Sequence, residues 1–138
     1  MNVLFLCTGN YYRSRFAEIY FNHLAGARGL STAADSRGFE AWAGRNPGAL
    51  SAHTIAYLAT LNIPVPEPVR FPEQLTAADF ERAQAVIALD ETEHRPMMLR
   101  DFPELLDRVE FWLFPDTHLA EPSFILPAIA ERINVYLS

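Results

Sequence analysis

Four short strand-like runs, each followed by a stretch of helical periodicity, predict an α/β fold: a four-stranded parallel sheet flanked by helices in three layers. The runs are Val3–Cys7, Leu30–Ser36, Ala85–Leu89 and Val109–Leu113, all of strand length. The 138 residues hold no internal repeat, low-complexity tract or long linker, so residues 1–138 are expected to form one domain.

Each element has a local reason. Val3–Cys7 is a continuous apolar run, as in a strand buried on both faces. From Ser14 to about Arg28, Phe16, Tyr20 and Leu24 recur every four residues, which predicts an amphipathic helix. Between Pro47 and Leu61, Leu50, Thr54, Leu58 and Leu61 share one helical face. The proline-rich segment Ile63–Leu75 is expected to be a loop with at most a short edge strand. The pattern "TAAD" opens a short helix over Thr76–Arg82. A helix over Glu93–Arg100 is expected to hold Pro96 in its first turn, where a missing N–H costs nothing. The closing helix, Ser123–Leu137, turns Leu126, Ile129, Ile133 and Tyr136 inward.

Composition narrows the function. A formal charge of −6 argues against nucleic acid or an anionic membrane as partner. The charge is uneven: residues 1–50 carry five Arg against three acids, and residues 51–138 carry six Arg against fourteen. One cysteine permits no internal disulfide, so nothing points to an oxidising compartment. The apolar run at the start is too short for a signal peptide, and no stretch approaches a membrane span. A cytoplasmic protein is expected.

The single cysteine ends the first strand, where parallel sheets bind ligands. Cys7-Thr8-Gly9-Asn10-Tyr11-Tyr12-Arg13-Ser14 then wraps from the strand into a helix N-terminus, which aims successive backbone N–H groups inward as an anion site. Gly9 and Asn10 tolerate the left-handed conformations that such a wrap requires. Arg13 adds a planar fork for two phosphoryl oxygens. The helix dipole and Arg13 favour the thiolate of Cys7, and Ser14 caps the helix or donates to that thiolate. The pattern describes a nucleophile in an oxyanion cradle, suited to covalent phosphoryl transfer.

"CTGNYYRS" matches every fixed position of Cys-x-Gly-Asn-x-x-Arg-Ser, and in this the chain resembles the low-molecular-weight protein tyrosine phosphatases and their arsenate-reductase relatives. The resemblance runs the length of the chain. "FAE" follows the loop, "STAADSRGFEAW" keeps Ser36 and Gly38, and "LTAADFERAQAVIALDE" ends in Asp90. It implies a hydrolase, a CX5R protein phosphatase acting on phosphotyrosine-type monoesters of proteins or small molecules, with a phosphocysteine on Cys7. Arg13 and the N–H groups from Thr8 to Ser14 would bind phosphate, with no metal and no cofactor. It also implies a general acid and base on a late loop, where Pro115-Asp116-Thr117 offers Asp116. Tyr11 and Trp42 would wall the substrate crevice. The chain departs from the family at Thr117, usually Pro, at Arg15, also commonly Pro, and at Tyr11 and Tyr12.

Two alternatives stand beside this reading. An arsenate reductase would need an external thiol, since the family's two further cysteines are missing. A catalytically weak oxyanion-binding protein would keep the loop without turnover. Among the remaining polar residues, His23, His53, His94 and His118 are too scattered for a metal site. His94 is expected to be structural and His118 to lie on a surface loop. Arg37 and Arg45 are expected in solvent at the pocket edge, and Asp90, Glu91 and Glu93 at a helix N-terminus that favours negative charge.

Overall fold

The run Val3–Leu6 lies in the middle of the sheet because its side chains are apolar on both faces, and only a strand covered on both sides buries such a run. In the computed structural model, which describes residues 2–41 and 46–138, this strand (β1, Asn2–Cys7) pairs in parallel with β2 (Ala33–Gly38) and with β3 (Ala85–Ala88). β4 (Val109–Phe111) adds to β3, also parallel, giving the order β2-β1-β3-β4. The three-layer α/β architecture expected from the sequence is observed.

Alternation along β1 feeds two cores. Val3 and Phe5 join Phe16 and Phe21 of α1 (Arg13–Ala27) and Ile129 and Ile133 of α5 (Pro122–Tyr136). Leu4 and Leu6 join Val86, Phe80 of α3 (Ala77–Arg82) and Met98 of α4 (Glu91–Asp101). The α2 helix (Ala52–Thr60) packs beside α1. No helix among the described residues is long and apolar enough to cross a membrane.

The differences from expectation have local causes. β2 covers Ala33–Gly38 rather than Leu30–Ser36, because Gly29 turns the chain at φ 68° after α1 and leaves Leu30 exposed. α2 begins at Ala52 rather than Pro47: Ser51 caps it by accepting from the His53 N–H at 3.2 Å, and Gly48 holds φ 75° just before. α4 begins at Glu91, two residues early, because Asp90 caps it through the Glu93 N–H at 3.2 Å. Pro96 therefore sits in the second turn, not the first. Both Pro96 and Thr92, whose carbonyl loses a donor, are exposed to water. β4 ends at Phe111, and Leu113 makes only an isolated bridge with Asp90. In the proline-rich segment a single bridge, Gly38 with Gln74, is the only pairing among the described residues.

From β1 the chain runs outward to β2, then crosses to β3 on the other side of β1. The carboxyl ends of β1 and β3 thus form a topological switch point, where open α/β sheets bind ligands. Cys7 ends β1 there, and α4 begins just after β3 at the same edge.

Candidate active site

After Cys7 the chain must reverse within five residues to enter α1 at Arg13. Asn10 makes this possible by taking φ 51°, a left-handed conformation that asparagine tolerates. Asn10 is fully buried, and its amide is engaged at both ends. Nδ2 donates to Ser14 Oγ and to Ser36 Oγ, each at 2.9 Å. Oδ1 accepts from Arg70 Nη1 at 2.9 Å and from the Glu73 N–H at 3.0 Å. Glu18 closes the network, accepting from Ser36 Oγ at 2.6 Å and from Arg70 Nη2 at 2.9 Å. Side chains from α1, β2 and the proline-rich segment therefore set the loop's shape from behind. The chain just past β2 also reaches the loop through its backbone: Phe39 N–H donates to Cys7 O at 3.0 Å and Glu40 N–H to Thr8 O at 2.8 Å. Gly38 allows this approach, since a Cβ there would lie 2.8 Å from Thr8 O and 2.9 Å from Asn10 N.

Cys7 is buried, and its Sγ lies 2.9 Å from Ser14 Oγ. That oxygen accepts from Asn10 and keeps one hydrogen and a second lone pair, so it can donate to a Cys7 thiolate or accept from the thiol. Of the two roles expected for Ser14, capping is not observed, since α1 has no side-chain cap, and the contact with Cys7 is the one present. Among the described residues, no backbone N–H from Gly9 to Arg13 is bonded to a protein acceptor.

Arg13 is 2% exposed, and one edge of its guanidinium is committed to Glu93. Nη1 reaches Oε1 at 3.2 Å and Nη2 reaches Oε2 at 2.8 Å, a bidentate pair, while Nη1 also donates to Phe114 O at 3.0 Å. Nε is buried and has no partner among the described residues, so the Nε edge is left for an oxyanion. Glu93 in turn accepts from the Thr8 hydroxyl and from His94 Nε2, the latter at 3.2 Å. His94 Nδ1 accepts the Asp90 N–H at 3.0 Å, which places the ring proton on Nε2, facing Glu93.

The charges follow from these contacts. Burial alone would weaken the Arg13 cation, but the Cys7 and Glu93 charges outweigh it and raise the guanidinium above its usual value. Burial pushes the Glu93 carboxyl up, yet hydrogen bonds from His94, Arg13 and Thr8 hold it far below the usual carboxylate range. Burial pushes His94 down, against the pull of Glu93, so the ring stays neutral. Burial raises the Tyr12 phenol to about 12, with Arg13 opposing and Asp116 adding.

A pocket of about 370 Å³ opens over the loop, lined by Cys7, Arg13, Tyr11, Tyr12, His53 and Asp116 among others. Asp116 Oδ2 stands 3.6 Å from Arg13 Nη2, and its Oδ1 accepts the Thr117 N–H at 2.7 Å. The Tyr11 hydroxyl donates to Pro47 O, which pins the ring against the pocket wall. Gly9 also lines the pocket, whereas the side chains of Thr8, Asn10 and Ser14 turn behind the loop. Trp42 and Arg45 lie outside the described residues. His118 is exposed beside a neighbouring pocket with Pro115 and Leu119. Among the described residues no group of three or more His, Cys, Asp or Glu is placed to hold a metal ion.

Two expectations are corrected. Glu93 does more than complement a helix dipole: it grips Arg13, because α4 starts beside the loop at the switch point. Arg37 is not solvated but pairs with Asp35 at 2.9 Å and with Glu73 and Asp79 at 3.3 Å, behind β2. Sequence reasoning also missed Arg70, Glu18 and His53. Arg70 was hidden in a proline-rich segment, and only the buried Asn10 it serves could have pointed to it.

Residues 2–114 match the family described as low molecular weight phosphotyrosine protein phosphatase, a span that holds the loop and Glu93 and stops short of Asp116. No curated protein sequence matches the chain. Among solved structures, YfkJ from Bacillus subtilis superposes with a TM-score of 0.83 at 22% identity, over 99% of this chain and 92% of that one. Wzb from Vibrio vulnificus, in complex with benzylphosphonate, gives 0.81 at 18% identity, over 98% and 95%. A mutant of the arginine phosphatase YwlE gives 0.75 at 21% identity, over 96% and 88%. At these identities the structures speak for the fold, and the matched span, with the Cys7 loop inside it, places the chain in the low molecular weight phosphotyrosine protein phosphatase family.

Proposed function

We propose that this chain hydrolyses aryl phosphate monoesters, phosphotyrosine above all, through a phosphocysteine on Cys7. The observation that carries the reading is the Ser14 hydroxyl 2.9 Å from Cys7 Sγ, in a loop where, among the described residues, no backbone N–H from Gly9 to Arg13 has a protein acceptor. A phosphoryl group would lie on those N–H groups and on the Nε edge of Arg13. The Cys7 thiolate attacks phosphorus in line. As the S–P bond forms and the P–O bond to the aryl oxygen breaks, Asp116 passes its proton to that oxygen. Water then attacks phosphorus, giving a proton to Asp116. The S–P bond breaks, inorganic phosphate leaves, and the thiolate returns. Tyr11, pinned to Pro47, supplies a fixed aromatic wall that suits a planar ring more than a flexible guanidino chain.

The test is hydrolysis of p-nitrophenyl phosphate with EDTA present, from acidic to neutral pH. Cys7→Ser should abolish turnover, and Asp116→Ala should slow it by about two to four decades. An unchanged rate in Asp116→Ala would remove that residue from the mechanism. Faster release of phosphate from a phosphoarginine peptide than from a phosphotyrosine peptide would overturn the substrate assignment.

A further inference from the structure

Arg15, the third residue of α1, is 3% exposed, yet among the described residues no carboxylate lies within ion-pair distance of it. Its guanidinium bonds to backbone carbonyls instead. Nη2 donates to Arg70 O at 2.8 Å, Nη1 donates to Ala49 O at 3.0 Å and lies 3.5 Å from Asn10 O, and Nε has no partner among the described residues. A buried cation held only by carbonyls is costly unless negative charge arrives nearby. Among the described residues, two other cations at the loop are already matched: Arg13 by Glu93 at 2.8 Å and Arg70 by Glu18 at 2.9 Å. The charge of Cys7 is among those that act on Arg15, behind those of Arg70 and Glu18.

We propose that Arg15 is the counter-charge of the bound phosphoryl group, a positioning residue that supplies from beneath the loop the positive charge that Arg13 has committed to Glu93. It acts through the loop itself. The Asn10 carbonyl beside Arg15 belongs to the same peptide unit as the Tyr11 N–H, so polarising the carbonyl strengthens that N–H as a donor to the anion. The same guanidinium ties the 46–50 pocket wall, through Ala49, to the segment that carries Arg70.

The inference rests on the reading of the loop as a phosphate site, and calorimetry with inorganic phosphate at neutral pH separates the two. The full native chain, Arg15→Gln and Arg15→Lys are titrated alongside thermal unfolding of each. Gln keeps a donor for the carbonyls but no charge; Lys keeps the charge and gives up the fork. Arg15→Gln should weaken phosphate binding by about tenfold or more, the scale of a charge facing a dianion at intermediate dielectric, while Arg15→Lys stays within about threefold of native. Equal weakening in both variants, or in neither, overturns the counter-charge role. If Arg15→Gln does not fold, Arg15→Met takes its place under the same criterion, and lost binding in a folded Arg15→Lys overturns the role. A native chain that binds no phosphate removes the phosphate site itself, and this inference with it.

Discussion

Ser14 contacts Cys7 from a fully buried position, and Glu93 contacts Arg13 from a position about one-fifth exposed. Ser14 can donate its hydrogen to a Cys7 thiolate while its oxygen accepts from Asn10. Ser14→Ala should therefore lower kcat on p-nitrophenyl phosphate by about ten- to hundredfold, the range for one lost donor to a developing charge. It should also cost about 1–3 kcal/mol of stability, because buried Asn10 Nδ2 loses an acceptor. Steady-state kinetics beside a melting curve checks both halves. Glu93→Gln should act differently. It removes the charge that aligns Arg13, so the guanidinium turns and kcat/KM falls by about a hundredfold, a typical result of misplacing a binding group by an ångström. A Glu93→Gln enzyme with native kcat/KM would mean that the loop and Phe114 O hold Arg13 unaided.

At the scale of elements, legibility followed burial. β1, β3, α1 and α5 were readable because each buries a regular apolar face, so the period of the sequence is the period of the contact. β2 was not. Its sequence AADSRG is polar, because its inward positions at Ser36 and Gly38 are fitted to the Cys7 loop rather than to a core. The Cys7 loop was legible down to its residues, since strand, loop and helix are contiguous there. Glu93 was not, because an acid three residues after Asp90 looks like ordinary helix capping, and its meeting with Arg13 depends on strand order. The close approach at Gly38 gives the element-scale prediction. Gly38→Ala should destabilise the fold by about 1–3 kcal/mol, the usual penalty for overpacking, and should also impair turnover because the strain falls on Thr8 and Asn10. Urea denaturation of the variant measures the first effect and p-nitrophenyl phosphate hydrolysis the second.

The whole molecule should be most stable across neutral pH, and buried titratable groups set both limits. Tyr12 is raised from near 10 to about 12, and burial raises Tyr57 and Tyr136 in the same direction. A folded value above the unfolded one means that the contribution is complete below pH 10 and is lost as pH climbs toward 12. Tyr12→Phe should flatten part of that alkaline decline in melting temperature. On the acid side, His94 is lowered by burial, so its contribution is present above the ordinary histidine value and fades as pH falls below it. Its protonation would put a hydrogen on Nδ1 against the Asp90 N–H. The loop that these groups surround is already held by Asn10, Ser36, Arg70 and Glu18. An arriving anion therefore meets a loop already in shape, and association with it should run at the pace of encounter. Differences among phosphorylated ligands would then be written in how long each one stays.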